Sequence, residues 1–224
     1  MFIQNELDFI KKYYYAYLSG VGITVLLSII GVVFGSLLGL LVATMRLSDK
    51  KILRGISKAY IEAIRGTPLM VQLLIIFFGL KVVIPKDMEF LRNSILLCSV
   101  AIVINSGAYI AEIFRGGINS VDKGQTEAAR SLGLTKSQTL KNVILPQAVK
   151  IILPSLGNEF IALIKETAIV IMVGVPDIIY KATAVKAQTF MPIKPMVYAA
   201  ICYLILTLSL SKLMAVWERS LAND

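Results

Sequence analysis

The sequence predicts an all-α membrane protein, about five transmembrane helices forming a single transmembrane domain over residues 1–224. Three observations predict it. Apolar residues are 57% of the 224 and charged residues only 17%, against roughly 25% charged in an average soluble domain. A globule this small could not hide that much apolar surface. The apolar residues also come in long runs, and the basic residues cluster between those runs.

The first span is predicted at 18–44. Tyr13 to Met45 is a stretch of 33 residues without a charge, whereas a helix crosses the hydrocarbon core with about 20. A secretory signal's apolar region is roughly 7–15 residues, and no clear small-x-small cleavage site follows. Gly20, Thr24, Ser28, Gly31, Gly35 and Gly39 form a small-residue stripe with a doubled GxxxG. In lipid, helices associate by close packing, so such a stripe marks a helix contact. It fits a contact inside the chain or one with a second chain.

The remaining spans are predicted at 67–84, 93–114, 147–173 and 195–217. Lys81 interrupts the second near its end, where a long side chain can snorkel to the interface. The fourth is the most polar and carries Lys150, Asn158, Glu159, Lys165 and Glu166. Lys212 and Trp217 are interfacial anchors of the fifth. Five spans put the termini on opposite sides. The loop 46–65, the segment 115–150, Lys212 and Arg219 hold 14 of the 23 Lys and Arg. The positive-inside rule then places the N-terminus outside and the C-terminus in the cytoplasm.

The net charge of +9 also suits nucleic acid, and one segment invites that reading. Residues 119–145, NSVDKGQTEAARSLGLTKSQTLKNVIL, predict a helix over Lys123–Leu132, a stop at Gly133, Thr135 as N-cap and a second helix over Lys136–Val143. This has the turn of a helix-turn-helix. It sits between two spans, without room for a domain or the third helix that closes such a core, so nucleic acid is not the expected partner. The absence of His removes histidine bases, triads and metal sites. The two Cys, 98 and 202, lie in apolar runs and make no disulfide framework. No reaction signature supports a membrane enzyme. A channel or secondary transporter would need pore-lining or inverted repeats, and none is visible.

In that same segment Glu127, Ala128, Ala129, Gly133, Val143, Leu145 and Pro146 follow the pattern Glu-Ala-Ala, three residues, Gly, nine residues, aliphatic-x-Leu-Pro. The pattern resembles the cytoplasmic coupling loop of ABC importer permeases, with Val143 where Ile is usual. RGTPLMVQL (65–73) and NEFIALIKET (158–167) resemble the second- and fourth-span segments of the polar amino acid uptake group. The resemblance covers most of residues 65–167. It implies the type I importer fold, a coupling loop at 115–146, and a place in the inner or plasma membrane of a prokaryote, bathed in membrane lipid. It also implies partners: a cytoplasmic ATP-binding subunit dimer that holds ATP and Mg, a second permease chain (identical or paralogous), and an extracytoplasmic solute-binding protein. No GxxxxGK[ST] is present, so the chain holds no phosphate loop of its own. Glu127, Ala128, Ala129, Gly133 and Leu134 are the candidate ATPase contacts, with Leu132 and Leu140 as further apolar anchors.

Ionised groups near the bilayer centre cost about 2.5–3.5 kcal/mol each on insertion scales, so those inside spans need a reason. Asn105, Tyr109 and Glu112 share one helix face, and Glu159 shares a face with Glu166. In one reading Glu112 and Glu159 bind a cationic side chain, with Asn158 and Tyr109 adjacent. Gly66 and Thr67 then offer backbone N–H groups to the substrate carboxylate, Thr67 caps the second span, and Met70 pads the aliphatic part. In the other reading Glu112 pairs with Arg115, Glu159 pairs with Lys165 or another helix, and Arg65, Lys165 and Glu166 are interfacial. The first reading favours arginine or lysine as substrate. A different polar amino acid such as glutamine is the alternative.

Overall fold

The computed structural model describes residues 2–223, and every element is helical: α1 Phe2–Leu47, α2 Lys51–Arg65, α3 Leu69–Val83, α4 Ser94–Asn119, α5 Lys123–Ser131, α6 Lys136–Thr139, α7 Leu145–Glu166, α8 Ile178–Thr189 and α9 Lys194–Asn223. A π-helical turn, Leu140–Ile144, fuses α6 to α7, and a 3-10 turn, Thr167–Val173, follows α7. Helices α1, α4 and α9 are each long and apolar enough to cross a membrane, and the bent α2–α3 pair makes a fourth crossing if it is taken as one span. The fold is that of an all-α, multi-pass membrane protein.

The first helix runs well beyond the predicted span 18–44. At 46 residues it is roughly 70 Å long, about twice the thickness of a hydrocarbon core. Its first turns form because Phe9, Tyr13 and Tyr17, four apart, bury one face against Ile178, Ala182, Val185 and Ala199 of α8 and α9. The small-residue stripe packs inside the chain. A Cβ on Gly31 would lie 2.8 Å from Ile102, one on Gly35 would strike Ser106, and one on Gly39 would lie 2.8 Å from Ile110. Ser106, buried, donates to Gly31 O at 2.8 Å, so α1 and α4 are locked backbone to side chain.

Residues 46–65, expected as a loop, are mostly helix α2. The second predicted span, 67–84, shortens to α3. Its 15 residues reach about 22 Å, short of a crossing. The chain turns by 105° between α2 and α3. Pro68 explains the turn, since the residue before a proline is pushed out of the helical region. Thr67 is not the N-cap expected: Pro68 holds that place, and the Thr67 hydroxyl donates back to Ala63 O at 2.8 Å, closing the end of α2.

The third predicted span ends five residues late, since α4 continues to Asn119. The fourth, 147–173, divides into α7 and the 3-10 turn. Helix α8 was not anticipated. Its N-cap Asp177 is fully buried and accepts from Tyr180 N at 2.8 Å and from the Tyr203 hydroxyl at 3.2 Å, which ties α8 to α9. The main core gathers Leu27, Leu73, Phe77, Leu97, Ile102 and Leu163 from α1, α3, α4 and α7.

Candidate functional site

The α2–α3 bend walls a cavity of about 510 Å³, bounded by Arg65, Gly66, Thr67, Pro68, Leu69, Met70, Asn105, Tyr109, Glu166 and Ile169. This lies within the roughly 300–1,000 Å³ of small-molecule sites. Gln72, nearly buried, holds the bend in shape. Its amide nitrogen donates to Ile64 O at 2.7 Å and is shared between Thr67 O and Thr67 Oγ1, each at 2.9 Å. Its amide oxygen accepts from Asn105 Nδ2 at 2.9 Å. One side chain thereby links the end of α2, the turn and the middle of α4.

The bend also sets which backbone donors are free. The Gly66 N–H, expected to face an anion, is committed to Glu62 O at 2.9 Å. The N–H groups of Leu69 and Met70, first in α3, have no partner within the helix. Both residues line the cavity at the positive end of α3, where an anionic group is favoured.

The cavity gathers Gly66, Thr67, Met70 and Tyr109 from the candidate residues. It leaves out Glu112, Asn158 and Glu159. The Glu112 carboxylate accepts two charge-assisted bonds from Arg115, Nε at 3.0 Å and Nη2 at 2.7 Å, the fork geometry of a bidentate pair. Arg65 Nη1 stands 4.0 Å from the same carboxylate, and its guanidinium lies 5.2 Å from the centre of the Tyr109 ring. Asn158 is exposed and Glu159 half-buried on α7, and neither lines this cavity. Glu166 does line it, although the sequence suggested an interfacial place. Gln72 has no charge and sits in an apolar helix, so only the contact between α3 and α4 reveals it.

On the surface between α4 and α7, α5 starts where the Asp122 side chain accepts from Gly124 N at 2.6 Å. It ends at Gly133, whose φ of +84° is a left-handed conformation that glycine adopts without strain. Thr135 and Gln138 form a reciprocal capping box at the start of α6. Glu127, Ala128 and Gly133 are exposed, Leu134 is half-exposed, and Ala129 is buried. Leu132 is 82% exposed, an apolar knob at the tip. The expected second surface helix at 136–143 is instead the start of one helical column that continues into α7.

The profile of the family described as binding-protein-dependent transport system inner membrane component matches residues 31–223. The chain belongs to that family. It is 39% identical over 218 residues to a putative glutamine transport system permease protein of Rickettsia conorii, covering 96% of this chain and 98% of that one. It is 36% identical over 207 residues to an arginine transport system permease protein of Bacillus subtilis, covering 92% and 93%. A crystal structure of an amino acid ABC transporter with histidines superposes with a TM-score of 0.86 at 43% identity, covering 94% of this chain and 96% of that one. An inward-facing methionine ABC transporter, at 18% identity and a TM-score of 0.74, shares the fold. The permease is thus the type I membrane subunit of an ABC importer of the polar amino acid uptake group. Subunits of this family are not the ATPase. Among the described residues no group of His, Cys, Asp and Glu is arranged to hold a metal.

Proposed function

We propose that the permease carries a neutral polar amino acid of the glutamine type through the cavity at the α2–α3 bend. The observation that carries this reading is the state of Glu112. Arg115 already occupies its carboxylate, which leaves no acid there for a cationic side chain. The charged residues of the cavity wall are Arg65 and Glu166, one of each sign, which suits the carboxylate and ammonium of a zwitterion. The free N–H groups of Leu69 and Met70 favour the carboxylate end. The Tyr109 hydroxyl, which bonds nothing among the described residues, offers a neutral polar contact to a side-chain amide. Five relatives described as putative glutamine permeases, from species of Rickettsia, are 39–42% identical, against 36% for the arginine permease. Glutamine is therefore favoured over arginine or lysine.

Membership of the family supports a reading of the rest of the assembly. The permease crosses the membrane five times, with α2–α3 and α7 as the two less apolar crossings, its N-terminus outside and its C-terminus in the cytoplasm. It pairs with a second permease chain and receives substrate from an extracytoplasmic binding protein. Glu127, Ala128, Gly133, Leu134 and the Leu132 knob enter the surface of an ATP-binding subunit that holds ATP and Mg. Ala129, buried, lets α5 lie close to its own chain.

Proteoliposomes carrying the permease with its ATPase and binding protein test the substrate. Glutamine is taken up with ATP, and excess arginine competes poorly. Uptake of arginine without glutamine would overturn the assignment. In the same vesicles Glu127→Arg abolishes uptake while amino acid binding persists. Uptake at the unmutated rate would remove α5 from the coupling surface.

A further inference from the structure

A second, smaller pocket of about 150 Å³ lies between the end of α1, the middle of α2 and α4, bounded by Arg46, Lys58, Ile61, Glu62, Arg65 and Glu112. Arg65 lines both this pocket and the larger cavity. The small pocket stands on the side of the cavity that faces the coupling surface. Helix α2 runs from the α1–α2 turn, where Asp49 meets Lys136 of α6 at 2.8 Å, up to the bend. We infer that Arg46 and Lys58 form an exit-side subsite for the substrate's carboxylate, with Arg65 passing the carboxylate from the cavity to it. The inference rests on the cavity being the amino acid site.

Three features support it. Lys51, Arg54, Lys58, Glu62 and Arg65 fall at spacings of three and four residues and form one exposed stripe along α2. A charged face on a helix that belongs to a crossing must look onto water or another protein and not onto lipid. The pocket's three cations outnumber its two acids. Glu112 is held closely by Arg115 and stands 4.0 Å from Arg65, and Glu62 makes an exposed contact with Lys58 at 3.5 Å, which leaves Arg46 without an ion pair among the described residues. Finally, the pocket has ample room for a carboxylate beside its cations, with the rest of the substrate extending into the aqueous path. Guanidinium and ammonium groups gathered in a half-closed pocket suit that anion.

The test uses the complete reconstituted complex with Arg46→Gln and Lys58→Gln, and with Lys58→Arg as the charge-keeping control. Glutamine uptake and binding to the detergent-solubilised complex are measured side by side. Loss of a charged hydrogen bond predicts about a tenfold drop in maximal uptake rate. Affinity for glutamine in the complex stays unchanged, and Lys58→Arg restores the rate. Glutamine loaded inside the vesicles slows unmutated uptake but not uptake by the variants, and glutaminamide, which lacks the carboxylate, slows neither. Normal uptake rates in both Gln variants overturn the subsite, as does a loss of binding that parallels the loss of uptake. If the unmutated complex binds no amino acid, the cavity reading fails and the subsite falls with it.

Discussion

Gln72 shows how much a single uncharged residue decides. Its amide satisfies Ile64 O and Thr67 on one side, partly buried, and Asn105 on the other, buried. Gln72→Leu keeps the bulk and strands those partners, and each buried polar group left unmatched costs about 1–3 kcal/mol. The variant is expected to melt several degrees lower in detergent and to bind substrate more weakly, since the bend that aims Leu69 and Met70 loses its brace. Thermal unfolding and equilibrium binding check this. A melting temperature and affinity equal to wild type would show that the turn needs no brace. Glu112 makes the complementary point. Its place on a face with Asn105 and Tyr109 was legible from i, i+4, i+7 spacing. That its carboxylate turns to Arg115, one turn on, was one of two readings the spacing allowed, because a spacing gives a face and not a rotamer.

At the scale of elements, the first turns of α1 are tethered to α9. Lys194 Nζ donates to Glu6 at 2.9 Å, and the Tyr198 hydroxyl donates to its other oxygen at 2.8 Å. The Lys194 bond, reinforced by Tyr198, holds the Glu6 carboxyl below the usual carboxylate range. A folded-state value below the unfolded one means a stabilising contribution that is complete above the ordinary carboxylate range and lost as pH falls through the folded value. The melting temperatures of wild type and Glu6→Gln therefore differ at neutral pH and converge below about pH 4. A gap that stays constant down to acid pH would exclude ionisation of Glu6 as the cause. Helices α2 and α8 teach a related lesson. Both are short and rich in polar residues, so neither carries the long apolar run that marks a crossing. Helix α2 nevertheless has a regular charged stripe, and that stripe was readable once the segment was treated as a helix. The caps of α5 and α6 were readable directly, because Gly133 and Thr135 act through local backbone chemistry.

For the whole molecule, the testable quantity is topology. The five proposed crossings would put the α3–α4 loop outside and α5 inside. Single cysteines at Lys86 and at Lys123, in a chain with Cys98 and Cys202 replaced by Ala, should react with a membrane-impermeant thiol reagent from opposite faces of oriented vesicles. Labelling of both from the same face would require an even number of crossings between them and would remove the five-span arrangement. The coverage of relatives and of the superposed transporter extends across nearly the entire chain, so the fold is a property of the permease as a unit and not of one motif.

The sequence by itself determined the solvent, the class of element and the family. Apolar runs, caps and the coupling pattern are local or compositional, and each is governed by forces that act within a few residues or against lipid. The tertiary structure alone decided which candidate residues meet. It joined Arg65, Met70, Tyr109 and Glu166 around one cavity, paired Glu112 away from it and left Glu159 on another part of α7. It also turned the glycines of α1 inward against α4. These outcomes depend on how helices far apart in sequence pack and which rotamers their contacts permit, and no pattern along the chain encodes that distance.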